Sequence, residues 1–202
     1  MKPKFVLKIG GSLLDLPDLP QRLSNVLELF EPGPIVAVCG GGKSIDIIRA
    51  WDRVHDLGEE ASHWIALEAL RVPALFLDRI VERIRYTGTK EEFTSIWKQG
   101  RVPLYDAYRF IRDVDERSSE PLPRRWQVTS DSIAARIAST LGARELVLIK
   151  SATPAHGCSL AEAAQSGLVD EYFPEAARPL ARVQVLNLRD PEAPPVELVG
   201  AG

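Results

Sequence analysis

Cysteine is scarce: Cys39 and Cys158 are the only two in 202 residues, too few for a disulfide framework, and they fit a reducing compartment. An excess of one charge is missing too. Lysine and arginine total 25 against 28 acidic residues, a formal net charge of -3, so nothing calls for a nucleic-acid partner, although a local cluster could still hold phosphate. No apolar run approaches the ~18 residues of a membrane-spanning helix. The start, Met1-Lys2-Pro3-Lys4, reaches Lys8 too soon to contain the core of a signal peptide. Internal repeats and low-complexity tracts are absent as well. These absences point to a soluble, cytoplasmic protein with neither membrane nor nucleic acid as partner. What remains is ordinary in composition, 45% hydrophobic and 26% charged, enough for a real core. The length suits one compact α/β domain over residues 1–202.

Phe5 to Ile9 reads as a short buried strand followed at once by Gly10-Gly11-Ser12. The spacing of Leu19, Leu23, Val26, Leu27 and Phe30 predicts a helix, opened by Asp18 and Pro20 and stopped by Glu31-Pro32-Gly33-Pro34. A second strand, Ile35 to Val38, runs straight into Gly40-Gly41-Gly42, and the helix after it places Ile45, Ile48, Trp51 and Val54 on its buried side. Two successive strand–glycine–helix units predict a parallel, doubly wound sheet. Helices are expected over 59–70 and 74–83, a third strand over 102–105 and an exposed, charged connection over 113–125. Thr129 or Ser130 then caps a helix carrying Ile133, Ile137 and Leu141. Strands follow over 145–149 and, as the last of the chain, 183–188; the proline-rich tail from Pro191 reads as loose.

Glycines at the carboxyl ends of parallel strands let backbone approach a ligand closely. The amides opening the next helix point outward with the positive end of its dipole, which suits phosphate. A single such loop is better explained by steric need alone. Two on neighbouring strands, the first preceded by Lys8, favour a ligand, and make Gly10, Gly11, Ser12, Gly40, Gly41 and Gly42 candidate phosphate- or substrate-binding residues. Lys8 is the sharpest of the candidates, a cation inside Phe-Val-Leu-Lys-Ile. Buried alone it would be costly; beside a polyphosphate it would neutralise charge developing during transfer. The competing placement is an edge strand with Lys8 facing water. Gly42-Lys43-Ser44 mimics the end of a Walker A loop, but the first glycine would have to stand where Ala37 does, so that motif is excluded and Lys43 falls in the first turn of a helix. Asp131 sits in a first helical turn, where an acid is favoured by the dipole alone. Its functional reading is to orient cations around the phosphates. Lys150 ends a strand and supplies a second clamp on the transferring group, with Ser151 beside it on the nucleotide side. The candidate catalytic set is therefore Lys8, Asp131 and Lys150. His156 and Cys158 lack a third ligand nearby, so no protein metal site is expected.

Lys8-Ile-Gly-Gly-Ser12, Gly40-Gly-Gly42, Thr129-Ser-Asp131 with Ala134-Ala135, and Leu146-Val-Leu-Ile-Lys150 resemble the amino-acid-kinase family in order and spacing, over about three-quarters of the chain. The resemblance implies a three-layer α/β/α sandwich with a mainly parallel central sheet. It also implies a phosphoryl acceptor near the N-terminal half, and ATP with Mg2+ over the C-terminal half. A homo-oligomer is expected. Within that family, Gly40-Gly-Gly-Lys-Ser-Ile-Asp46 and His63-Trp64-Ile-Ala-Leu-Glu-Ala69 look most like the branch that acts on aminomethylfuran-methyl phosphate in one-carbon cofactor synthesis. His63 and Trp64 are read as a packed helix face rather than as catalysts.

One departure from the family stands out. Lys150 is the last lysine of the chain, where many members carry a further one, and Ser151 to Cys158 lacks the usual Asp-Val-Asp-Gly-like stretch. Arg178 or Arg182 would have to assist Lys150, or nucleotide binding is weakened. The expected function is an ATP-dependent phosphotransferase acting on a small molecule. No strong general base is evident, which suits an acceptor that is already a phosphate. The alternative is a non-catalytic nucleotide-binding or oxyanion-storage protein on the same fold.

Overall fold

The computed structural model describes residues 1–31 and 33–200. Pro32 of the expected helix stop, and the last two residues of the tail, lie outside the described residues. In chain order the elements are β1 (Phe5–Ile9), α1 (Leu19–Leu29), β2 (Ile35–Cys39), α2 (Lys43–His55), α3 (Glu59–Ala69), α4 (Arg71–Ile80), β3 (Ile84–Thr87), α5 (Phe93–Lys98), β4 (Val102–Tyr105) and α6 (Ala107–Asp113). They continue with α7 (Ser130–Leu141), β5 (Glu145–Lys150), α8 (Leu160–Gln165), α9 (Phe173–Ala177), β6 (Arg182–Asn187) and β7 (Val196–Glu197).

The strands form one sheet in the order β3-β4-β2-β1-β5-β6-β7, parallel throughout except for β7. The three-layer α/β/α sandwich is thus as expected. Its middle strands read as unbroken apolar runs because both faces are covered. Alternation of side chains assigns the faces. Val6, Val36, Val38, Leu146 and Leu148 face a layer that includes Phe110 of α6, Ile133 and Ile137 of α7 and Phe173 of α9. Leu7, Ile9, Ala37, Val147 and Ile149 face Leu23 and Leu27 of α1 and Leu77 of α4. β1 lies between β2 and β5, so Lys8 is not on an edge strand.

Three expectations need correction. Only Ile48 of α2 is buried; Trp51 is 55% and Val54 75% exposed. The helix packs chiefly against α3 rather than on the sheet, so its apolar stripe outruns the surface available to cover it. Strand β3 was not foreseen, because Arg85 and Tyr86 interrupt its apolar pattern at the sheet edge. The 113–125 connection is exposed over most of its length, as expected, and is pinned at two points. Asp115 is buried, accepts the Leu122 amide at 2.7 Å and pairs with Arg136, and Leu122 enters the core. The tail is not loose either: Val196–Glu197 runs antiparallel to β6, Leu198 is buried, and the Val199 amide donates to the Cys158 carbonyl at 2.9 Å. Prolines at 191, 194 and 195 hide that strand from a composition reading, but it adds only at the edge, where no second ladder is required.

Candidate active site

Lys8 falls on the same sheet face as Val6, and Lys150 on the same face as Leu146 and Leu148. That face is covered by α7, whose second residue is Asp131. In the β1–β5 register Ile9 stands opposite Ile149, and the Gly10 amide continues the ladder to the Ile149 carbonyl at 2.8 Å. Lys150 therefore emerges beside the first glycine loop, two residues further along the ladder than Lys8. Three residues far apart in the chain are brought to one point by strand register and a helix start.

There the Asp131 carboxylate bridges both ammonium groups. Lys8 Nζ lies 2.8 Å from Oδ1, and Lys150 Nζ donates to Oδ2 at 2.7 Å. Lys8 and Asp131 are 4% and 5% exposed, so the cluster is inside the protein. The Lys8 contact is an ion pair off the hydrogen-bonding direction, which leaves Oδ1 without an aligned donor. Burial tends to raise the Asp131 pKa, but the two lysines together outweigh it and the carboxyl stays below its usual range. Lys150 is pulled the other way. Burial first and the Lys8 charge second lower it to about 8, against the opposing pull of Asp131 and Asp170. Two cations share the one carboxylate in contact with them, and the second negative charge at the cluster, Asp170, acts on Lys150 from further off.

The glycine loops close around this cluster, and two of them do so for a reason different from the one expected. A Cβ on Gly11 would lie 2.1 Å from the Gly42 backbone nitrogen, so Gly11 lets the two loops pack on each other. Gly42 has φ +53°, in the left-handed region. Gly40 is the one turned to the ions: a Cβ there would sit 3.2 Å from Lys8 Nζ and 3.0 Å from Ser130 Oγ. A Cβ on Gly41 would strike the Ile45 side chain at 2.1 Å. Ser12 Oγ lies 3.1 Å from Ser151 Oγ and joins the first loop to the segment after β5. Gly11→Ala is expected to cost stability, on the order of 1–3 kcal/mol for overpacking against backbone. Gly40→Ala, whose Cβ would also meet the Gly11 backbone nitrogen at 3.1 Å, should cost less stability than Gly11→Ala and lose anion affinity. Thermal melts paired with nucleotide binding check both, and a Gly11→Ala protein as stable as wild type would show that the loops do not depend on this contact.

Other expected helpers lie elsewhere. Arg182 opens β6 opposite Glu145, about 16 Å down the strand from Lys150, and pairs with Glu145 and Glu197; Arg178 pairs with Glu175. Neither assists Lys150. The cation at the correct end is Arg189, which donates to the Ser12 carbonyl at 2.8 Å and to Asp15. Nothing local in Asn187-Leu-Arg189 announces it. Asp170, which accepts donors from Thr129 and Ser132, was likewise unforeseen. His63 is buried beside Trp64 at 5.8 Å between ring centroids, with its pKa lowered by burial. His156 and Cys158 build no metal site: among the described residues no group of three His, Cys, Asp or Glu could hold an ion. Asp131 and Asp170 are the carboxylates at the cluster; Asp131 is paired with both lysines, and Asp170 is taken up by Thr129 and Ser132. The residues therefore fit a polyphosphate, and they do not fit a magnesium ion held by the protein itself.

Among the described residues, an opening with Asp131, Lys150 and Asp170 on its walls exposes the cluster itself, and two more flank it. One, at the carboxyl end of β5, is lined by Ser12, Lys150, Ser151, Thr153 and Glu162. The other lies between α2, α3 and the start of α7, with Gly41, Arg49, His63, Trp126 and Ser130 on its walls. Arg49 stacks over the Trp126 ring at 5.2 Å from its centroid, and the indole donates to Asp52 at 2.8 Å.

Known structures share this architecture. UMP kinase from Ureaplasma parvum superposes with a TM-score of 0.62 at 14% identity, covering 96% of this chain and 93% of that one. Uridylate kinase from Archaeoglobus fulgidus gives 0.62 at 19% identity, covering 92% and 90%. Aspartate kinase from Synechocystis gives 0.63 at 13%, covering 98% of this chain and 40% of the other. At such identities the likeness is one of fold. No curated protein sequence matches the chain significantly. No helix among the described residues is long and apolar enough to cross a membrane. The sequence profile of the amino acid kinase family, however, matches residues 3–153, a span that includes β1, both glycine loops, Asp131 and Lys150; the chain belongs to the amino acid kinase family.

Proposed function

We propose that the protein is an ATP-dependent phosphotransferase whose acceptor is a small molecule that already carries phosphate. The observation that carries this reading is the pair of ammonium groups drawn onto the single carboxylate of Asp131 and ringed by glycine loops, an arrangement that suits an anionic ligand. ATP, with its own magnesium, would supply the transferable phosphoryl group. In this reading Lys8 and Lys150 bind the phosphoryl oxygens, and Asp131 keeps the two cations apart and aimed. Lys150 and Ser151 serve the nucleotide side, while the loops donate backbone amides. No free carboxylate stands at the cluster to act as a general base, which suits an acceptor whose attacking oxygen is already ionised.

The opening beside Gly41 supports the finer choice of acceptor. Its arginine and aromatic walls suit a flat ring bearing a phosphate, of the kind found in aminomethylfuran-methyl phosphate. Assembly of copies is part of the same proposal. Ile47, Trp51 and Val54 form an exposed apolar stripe on α2, with Val72, Leu75 and Phe76 exposed on α4. A monomer in sedimentation at micromolar concentrations would remove that element. The catalytic reading itself is tested by ADP release against a panel of small phosphates. Tight ATP binding with no turnover on any acceptor would favour the oxyanion-binding alternative instead.

The depressed pKa of Lys150 gives a pH signature. Below about 8 the side chain is a cation; above it the proton leaves and that positive charge is lost. ATP affinity of the free protein is therefore expected to fall by up to about tenfold per pH unit above that midpoint. Lys150→Met should show a low affinity without this limb. Calorimetric titration from about pH 6.5 to about pH 9.5 measures it, and a flat wild-type profile would mean that Lys150 is not the group that titrates.

A further inference from the structure

We propose that Asp170 is the positioning residue of the ion cluster, tying the first turn of α7 to the segment after α8 and so fixing where Asp131 stands between the two lysines. Its Oδ2 accepts the Thr129 amide at 3.1 Å, the Thr129 hydroxyl at 2.8 Å and the Ser132 amide at 3.0 Å, while Oδ1 accepts the Ser132 hydroxyl. These partners stand on both sides of Ser130-Asp131. An N-cap threonine ordinarily turns its hydroxyl back onto the amides of its own helix. Thr129 makes no such bond. Its hydroxyl goes to Asp170, and the capping is done from outside by a carboxylate remote in sequence. That carboxylate satisfies amides that the helix cannot, through charge-assisted bonds, and sits at the positive end of the α7 dipole.

The consequence for the cluster is geometric. Asp131 is the second residue of α7, so the direction of its carboxylate follows the first turn of the helix. If the turn relaxes, the bridge between Lys8 and Lys150 is displaced, and misplacement by about 1 Å costs on the order of 10²-fold in rate. Asp170 also acts across space. The charged groups facing Lys150 are Lys8 from β1, Asp131 from α7 and Asp170 itself, whose negative charge favours the protonated lysine.

Asp170→Asn and Asp170→Ala separate position from charge. The asparagine keeps the heavy-atom contacts, since its oxygen can take the amides and its NH2 can donate to the Ser132 hydroxyl. The alanine removes both. Two measurements are made: the titration of Lys150 by NMR in the ligand-free protein, and turnover with ATP. Only the second rests on the phosphotransferase reading. Asp170→Asn is expected to lower the Lys150 midpoint and keep turnover within about tenfold. Asp170→Ala should lower the midpoint further and lose about 10²-fold in kcat. Equal midpoints in the two variants, or a folded Asp170→Ala protein with wild-type turnover, would overturn the positioning role. If the wild-type protein turns over no acceptor, the kinase reading fails and the titration alone decides this one. If Asp170→Ala does not fold, the asparagine variant decides: an unmoved Lys150 midpoint, or a loss of turnover as large as 10²-fold with contacts kept, counts against the proposal.

Discussion

Lys8→Met is expected to lower kcat by about 10²–10³-fold while leaving the melting temperature unchanged or raised. The kinetic loss follows from removing a cation placed where charge develops on the transferring group. The stability result follows from the count of charges. With both lysines present, the buried carboxylate serves two ammonium groups 2.8 and 2.7 Å away; with Lys8 replaced, a one-to-one pair with Lys150 remains. Methionine fills the strand position with apolar volume and carries no charge to desolvate. Loss of Lys8 also removes the second-largest cause of the low Lys150 pKa, so the alkaline limit of ATP binding should move upward. A protein whose melting temperature falls in step with its activity would make Lys8 a structural residue.

Asp131→Asn should behave in the opposite way. It leaves two ammonium groups side by side with no carboxylate in contact and only the more distant Asp170 as counter-charge, and the expected cost is about 3–5 kcal/mol of stability, together with most of the turnover. Removing one of those cations should then repair part of the damage. The double variant Asp131→Asn with Lys150→Met is expected to melt above Asp131→Asn alone, and to lose less turnover than the two single changes combined. Denaturant unfolding and steady-state kinetics on the four proteins of the cycle measure both couplings. Strict additivity would mean that Asp131 and Lys150 act independently, and the bridged arrangement would have to be given up.

Much of this site was legible in the chain because its signals are local. A lysine inside an apolar strand, glycines immediately after two strands and an acid at a helix start each need only a few neighbouring residues to be noticed. Other parts were not legible, for equally physical reasons. The stripe of α2 reads as buried because periodicity records which residues share a face, and says nothing of whether another element covers it. Arg182 opens β6 while Lys150 closes the adjacent β5, which places them at opposite ends of two neighbouring parallel strands. Val196–Glu197 looked like loose tail because three prolines precede it. Asp170 and Arg189 carry no local mark at all.

The sequence by itself determined the alternation of strands, glycine turns and helices, and with it a parallel sheet whose strand ends suit an anion, because backbone geometry and side-chain periodicity are local properties. Only the tertiary structure decided that Lys8 is central rather than on an edge, and that one carboxylate serves two lysines. It alone decided that Asp170 holds that carboxylate's helix in place. Strand order and helix placement come from long-range burial, and a shared counter-charge exists only once residues from three elements occupy the same few ångströms.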